Sequence, residues 1–413
     1  MLATEDISLE SENALTVARI AEQEKEISKR LLSLDALRGL DIFFIMGGAG
    51  IFTAIAQCWP SSCTQEIALQ MKHPAWHGFT FYDLIFPFFL FLAGISFTFS
   101  LAKQQAQKKS SLSIYGKIVW RAVILVFLGI LFNNTLIFDI NSMRICSVLG
   151  HIGLAWMFAA LIYMNTGLKR QIAVCALILI GYWLLICLVP APDANPGAKC
   201  APFMEQASKL FSPDEQITKN LTMEGSIVGY VDRTIMPGKL YREIHDPEGL
   251  LTLIPAIITA LFGMMAGALV QKDPSVVSSR EKILRLILWG VFLVGVGILW
   301  STFFPLNKNL WTSSFVCLTG GIAVIVFALF YLVIDVLQFR RWSFFLVVIG
   351  MNSITIYMAQ RILGFDRARN FCFSGISSLC PETIQPLIMA VGYVVVCWWF
   401  LFFLYRHRVF LKI

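Results

Sequence analysis

Apolar runs of about 20 residues recur along the whole chain, at 36–57, 79–101, 118–134, 146–164, 171–190, 251–270, 285–304, 312–336, 343–362 and 386–405. A run of that length matches the hydrocarbon core of a bilayer. Lipid offers no partners for backbone N–H and C=O groups, so such runs must be helices. The reading is therefore all-α: a polytopic helical membrane protein with about ten transmembrane helices. Composition agrees, with 57% hydrophobic and 14% charged residues among 413. Ordinary soluble domains carry roughly a quarter charged residues. What remains between the runs leaves no room for a soluble catalytic domain or a nucleic-acid-binding one.

The short connections alternate in charge. Lys103, Lys108, Lys109 and Lys117 follow the second run, Lys169 and Arg170 the fourth, and Lys272, Arg280, Lys282 and Arg285 the sixth. Arg340 and Arg341 follow the eighth, and Arg406, Arg408 and Lys412 end the chain. The opposite connections hold few cations. The positive-inside rule then places both termini in the cytoplasm. Four regions follow: a leader at 1–32, spans one to five at 33–190 with a loop at 58–83, an extracytoplasmic cap at 191–250, and spans six to ten with a basic tail at 251–413. The leader has no signal-peptide pattern, and Thr16 to Leu32 reads either as a surface helix or as a disordered segment. Cys58, Cys63, Cys200, Cys372 and Cys380 fall on the outer side, where Cys58–Cys63 and Cys372–Cys380 are expected to pair.

Chemistry is sought where ionisable groups meet the membrane interior, because placing them there is costly. The densest cluster is Lys72-His73-Pro74-Ala75-Trp76-His77, which leads into Asp83 at the start of the second span. Three roles compete. His73 and His77 have the i, i+4 spacing of two metal ligands, but Pro74 and Gly78 oppose a regular helix and no H-E-x-x-H is present, so no metal is assigned. Trp76 and the histidines could anchor the headgroup region. Acid–base work by His73 with Asp83 carries most weight, because a histidine near neutral pH can take a proton from an attacking group.

Further outer polar groups are candidates for a substrate pocket: His77, Trp76, Arg144, His151, Asp232, Arg233, Asp246, Glu248, Asn307, Lys308 and Asn309. Acidic and amide groups beside aromatics suit a sugar bearing hydroxyls and an amine. On the inner side Asp35, Arg38, Arg121, Arg340, Arg341 and Asn352 are candidates to hold a phosphorylated cofactor, since Arg pairs well with phosphate. Loop ion pairs and headgroup anchoring would account for each of these residues singly.

Taken in order, Ser33-Leu34-Asp35-Ala36-Leu37-Arg38-Gly39, Lys72 to Gly78, Asp83 to Gly94, Asp246-Pro247-Glu248-Gly249, Asn307-Lys308-Asn309-Leu310-Trp311, Gly350-Met351-Asn352-Ser353 and Tyr405 to Ile413 resemble the heparan-α-glucosaminide N-acetyltransferase family and its bacterial relatives. The motifs cover nearly all of the chain beyond residue 30. The resemblance implies transfer of an acetyl group from cytosolic acetyl-CoA to an amino sugar on the far side, with the family's essential histidine at His73 and its helix carboxylate at Asp83. It also implies a homodimer in contact with membrane lipid. The family's animal members carry a longer lumenal region ahead of the first span, so a bacterial inner-membrane protein with its site open to the periplasm is expected. Two departures stand out: the family's span-one asparagine falls at Gly48 or Ala49, and no histidine follows Arg38 by ten residues as in the related acyltransferase-3 pattern. An oxyanion donor is expected at Asn307 or Asn309. The rival class is a secondary transporter of a sugar, although 35–190 and 251–405 show no repeat of the kind such folds carry.

Overall fold

The computed structural model describes residues 31–134, 139, 142–193 and 219–411. The expected leader, Cys200 and the middle of the cap lie outside them. Among the described residues the chain is helical, with only the isolated bridges Arg144–Gly238 and Pro190–Ser226 in extended pairing. The first span consists of α1 (Leu32–Phe43) and α2 (Ala49–Cys58), joined by a π-helical turn at Phe44–Gly48. Gly47 sits there at φ +118°, a conformation that side chains with a Cβ resist. The short α3 (Ser62–Gln70) leads through an irregular loop and a 3₁₀ turn at Phe81–Leu84 into α4 (Ile85–Ala106). There follow α5 (Ser111–Asn134), α6 (Val148–Asn165), α7 (Leu168–Leu188), the cap helix α8 (Ile227–Ile235), α9 (Leu253–Val270) and α10 (Ser279–Ser301). The last group is α11 (Ser313–Phe330), α12 (Phe344–Met351), α13 (Ser353–Ile362), α14 (Phe365–Ser378) and α15 (Gln385–Arg406).

Nine helices among the described residues are long and apolar enough to cross a bilayer, ten if the bent pair of α12 and α13 is counted as one span. The expected span at 343–362 is such a bent pair, turning by 60° at Asn352. Asn352 leaves helical geometry (φ −128°, ψ 36°). Its amide donates to the Val409 carbonyl at 3.1 Å and accepts from the Leu411 N–H at 3.4 Å, so the chain's tail holds the break. The first span also reaches lower, because Asp335 accepts from the N–H groups of Leu32 and Ser33, both at 3.2 Å, and satisfies the start of α1.

The centre of the bundle is α4 against α9. Of their most apolar stretches 78% and 72% is buried, against 22% for α15. Glycines set the approach, since a Cβ on Gly94 would strike the Ala260 carbonyl and one on Gly263 the Phe91 carbonyl. The crossing of α1 and α12 is built the same way, with Gly39 on the Leu346 carbonyl and Gly350 on that of Asp35. Close backbone approach through small residues is how membrane helices gain packing energy in a solvent as apolar as they are. The cap lies over α7 and the 304–311 loop, where Trp76, Tyr182, Ile186, Val228, Phe304 and Leu310 form one apolar cluster.

The two expected disulfides are not made, and the described cysteines are free thiols. Cys58 is buried in the last turn of α2 while Cys63 is exposed in the first turn of α3. Cys372 is exposed on α14, and Cys380 is half-buried beyond its end. Tyr241 is exposed, with the Arg144 guanidinium 4.6 Å over its ring.

Candidate functional site

The loop between α3 and α4 cannot continue either helix, because Pro74 lacks an N–H and Gly78 takes φ +125°. It folds back so that the Gly78 N–H donates to the Leu306 carbonyl at 2.9 Å. At its end Thr80 and Asp83 form a capping box, with the Thr80 N–H donating to Asp83 Oδ2 at 3.1 Å. This fixes the carboxylate, which is 1% exposed, and its other oxygen accepts from His73 Nδ1 at 2.6 Å. A carboxylate on Nδ1 sets the tautomer: the proton sits on Nδ1, and the Nε2 lone pair is the basic face. The His73 ring stays partly open, with Tyr82 beside it at 5.0 Å between centroids.

The second arm comes from the loop ahead of α11. There Thr312 Oγ1 accepts from the Asn307 N–H at 3.1 Å, Asn307 Oδ1 accepts from the Leu310 N–H at 3.0 Å, and Asn307 Nδ2 donates to His77 Nδ1 at 3.1 Å. Burial pushes the His77 pKa down to about 4, so the ring stays neutral and able to accept. Neighbouring Lys308 is thereby delivered to His73, with Nζ 3.1 Å from Nε2 and 3.4 Å from Nδ1. Such similar distances place the ammonium over the ring face rather than in line with the Nε2 lone pair. Burial lowers the Lys308 pKa, while the Asp83 and Glu248 carboxylates work to raise it.

The third arm precedes α9. Arg144 grips Asp246 with two bonds (Nε–Oδ2 2.8 Å, Nη2–Oδ1 2.7 Å) and also contacts the Glu248 carboxylate. Two-pronged Arg–carboxylate pairs combine strength with fixed geometry. Burial, with Asp246 adding to it, raises the Glu248 pKa to about 7. Asp232 stands behind, accepting from the Leu250 N–H at 3.0 Å, and burial raises it to about 7 as well. His245 donates from Nε2 to the Asn309 carbonyl at 2.8 Å, and burial lowers it to about 4.

A cavity of about 170 Å³ joins these arms. His73, Tyr82, Glu248 and Lys308 line one part of it; Ile42, Ile45, Ile85, Phe86, Phe89, Leu149 and Ile152 make an apolar passage, and Ser353, Ile354 and Tyr357 of α13 complete the wall. The π-turn of the first span and the break at Asn352 thus both border the passage. Nearer the basic end of the bundle, Arg38 contacts Asp35 at 3.4 Å and Ser96, and Arg121 stacks 4.5 Å over Trp156.

The residues expected from sequence therefore separate into groups. His73, Lys308 and Glu248 meet at the cavity with Asp83 behind His73, and Asp35, Arg38 and Arg121 lie toward the other end. Arg144, Asp232, Asp246 and His77 brace the cavity residues from behind. Trp76 is buried, donates to the Leu221 carbonyl at 2.8 Å and ties the loop to the cap. His151 is buried between Trp311 and Phe86 and does not line the cavity. Arg233 pairs with Asp193 at the surface, Arg340 and Arg341 are exposed ahead of α12, and Asn352 holds the tail. Asn307 and Asn309 line no part of the cavity, and the Asn309 amide reaches the Trp76 carbonyl at 3.5 Å. Sequence reading missed Tyr82, Ser353 and Tyr357. Tyr82 adjoins Asp83 and Ser353 ends the Gly350–Ser353 motif, so both could have been drawn in; Tyr357 carries no local signal.

Comparison with known proteins gives two kinds of match. A family model described as a domain of unknown function, DUF5009, covers residues 30–189. Heparan-alpha-glucosaminide N-acetyltransferase from Homo sapiens is 25% identical over 433 residues, covering 93% of this chain and 60% of that protein. The chain is similar to this acetyltransferase along nearly its whole length. The same protein from Mus musculus is 25% identical over 444 residues, covering 95% of this chain and 62% of its own length. The chain thus spans about three-fifths of the length of the curated relatives it matches, and the similarity agrees with the resemblance carried by the motifs.

Proposed function

We propose that the protein is a transmembrane N-acetyltransferase that moves an acetyl group from acetyl-CoA in the cytoplasm to the amine of an amino sugar on the opposite side, glucosamine or a glucosamine-ended glycan. The observation that carries this is the oriented His73–Asp83 pair at 2.6 Å, with His73 lining a largely apolar cavity. A narrow apolar passage suits the acyl-bearing arm of the donor, and Arg38 and Arg121 suit its phosphates. The relatives' name supports an amino-sugar acceptor. The bacterial inner membrane, with the site open to the periplasm, is the setting that the charge alternation and motifs favour.

In this reading the sugar amine attacks the thioester carbonyl carbon while His73 Nε2 takes its N–H proton, and Asp83 steadies the resulting imidazolium. The tetrahedral oxyanion collapses, the C–S bond breaks, and the thiolate takes the proton back from His73. The products are the N-acetylated sugar and the free thiol of CoA. A route through acetylated His73 balances equally, and incubation with labelled acetyl-CoA alone separates the two by label on the protein. General-base help is typically worth about 10²–10⁴-fold. Purified protein in detergent should therefore acetylate glucosamine from acetyl-CoA, and His73→Ala should lose about that much turnover while staying folded. A transporter would form no product, and normal turnover by His73→Ala would overturn the assignment.

A further inference from the structure

We infer that Lys308 is a catalytic residue of this transfer: its ammonium, lying over the His73 ring inside the cavity, receives the thioester carbonyl oxygen as that oxygen becomes an oxyanion. The inference rests on the acetyltransferase reading above and assigns a role to which Asn307 and Asn309 are poorly placed, since neither lines the cavity.

The geometry supports it in three ways. An amine that loses its proton to Nε2 stands within hydrogen-bond reach of that atom, and the carbonyl carbon it attacks stands about 3 Å further on. The carbonyl oxygen is then held close to whatever borders Nε2, and Lys308 Nζ is 3.1 Å from it. Second, among the described residues lining the cavity Lys308 alone carries a standing positive charge. Third, the ammonium is off the lone-pair direction, so it stabilises charge without occupying the base. A donor fixed in place before charge develops is the arrangement that lowers such barriers most. The loop supports this fixity, because Asn307 is held by Thr312, Leu310 and His77.

The groups facing Lys308 are His73, Tyr82 and Asp83 from the loop and 3₁₀ turn, Glu248 ahead of α9, Arg242 beyond α8 and Tyr357 of α13. Burial and Arg242 push its pKa down while Asp83 and Glu248 push it up, with burial the largest effect. Its charge is therefore lost at a lower pH than that of an ordinary lysine, and turnover should fall on the alkaline side.

The test compares full-length wild type, Lys308→Met, Lys308→Arg and His73→Ala in detergent, following kcat for glucosamine acetylation against pH, CoA binding and thermal unfolding. Lys308→Met should lose about 10²–10³-fold in kcat, with CoA affinity changed by less than about threefold. Lys308→Arg keeps the charge, so it should regain part of the rate and show its alkaline fall at higher pH. A Lys308→Met rate within about threefold of wild type would overturn the inference, as would an alkaline limb unmoved in Lys308→Arg. If His73→Ala is inactive while Lys308→Met is not, only this inference fails; if wild type itself forms no product, the acetyltransferase reading fails first.

Discussion

His73 owes its chemistry to a single oxygen of Asp83. Asp83→Asn keeps the shape but can present its amide N–H to Nδ1, which moves the ring proton to Nε2 and removes the basic lone pair from the cavity. Turnover should fall by roughly the 10²–10⁴-fold of general-base help, with donor binding retained; a rate near wild type would show that the tautomer does not matter. Arg144 makes a different prediction. Its removal leaves Asp246 fully buried without its main partner, and breaking a buried pair costs about 3–5 kcal/mol. Arg144→Ala should therefore lower the unfolding temperature by many degrees, whereas Arg285→Ala, at an exposed pair with Glu281, should change it little.

The titrating residues behind the cavity carry opposite signs. Asp232 has its pKa raised from 3.8 to about 7, so the folded state binds more protons than the unfolded state between those values and stability falls as pH rises. His245 has its pKa lowered from 6.5 to about 4, so stability rises with pH across that window. Together they nearly cancel between about pH 4 and 6.5. Asp232→Asn removes the falling contribution, so relative to wild type its unfolding temperature should climb with pH over that window; a parallel or falling difference would contradict the assignment. At this scale the sequence pointed to His73 and Asp83, because ionisable residues are scarce near a membrane interior. It pointed less well to Lys308, which stands 235 positions from His73, and contact over that distance leaves no local pattern.

Among the elements, the long apolar helices were legible and their interruptions were not. Hydropathy counts apolar residues over a window, so a break at Asn352 or Gly47 barely alters it, yet both breaks border the cavity. The outer ends were read well where proline and glycine barred a helix, as at Pro74 and Gly78. The expected disulfides failed because proximity in sequence does not give the relative orientation of two Cβ vectors. Helix contacts were also hidden: Gly39 and Gly350 sit far apart in the chain but form one crossing. Gly39→Ala should force α1 away from α12, with a cost of about 1–3 kcal/mol or more, read as a lower unfolding temperature in detergent. Gly167→Ala, where a Cβ meets open space, is the control and should show little change.

For the molecule as a whole, ten passages and the charge alternation between their ends were readable at once, since both follow from solvation in a bilayer. The proposed direction of transfer rests on the motifs, because it depends on which end of the bundle His73 and Arg38 occupy. His73 lies in the loop ahead of the second span and lines the cavity, whereas Arg38 lies in the second turn of α1 and does not. The central claim is that acetyl transfer occurs across the membrane, and sealed proteoliposomes of defined orientation test it most directly. Acetyl-CoA is supplied only on the side of the basic connections and glucosamine only on the other. N-acetylglucosamine should then accumulate on the glucosamine side, free CoA on the donor side, and both should vanish with His73→Ala. Product formed only when donor and acceptor share a compartment would contradict the account.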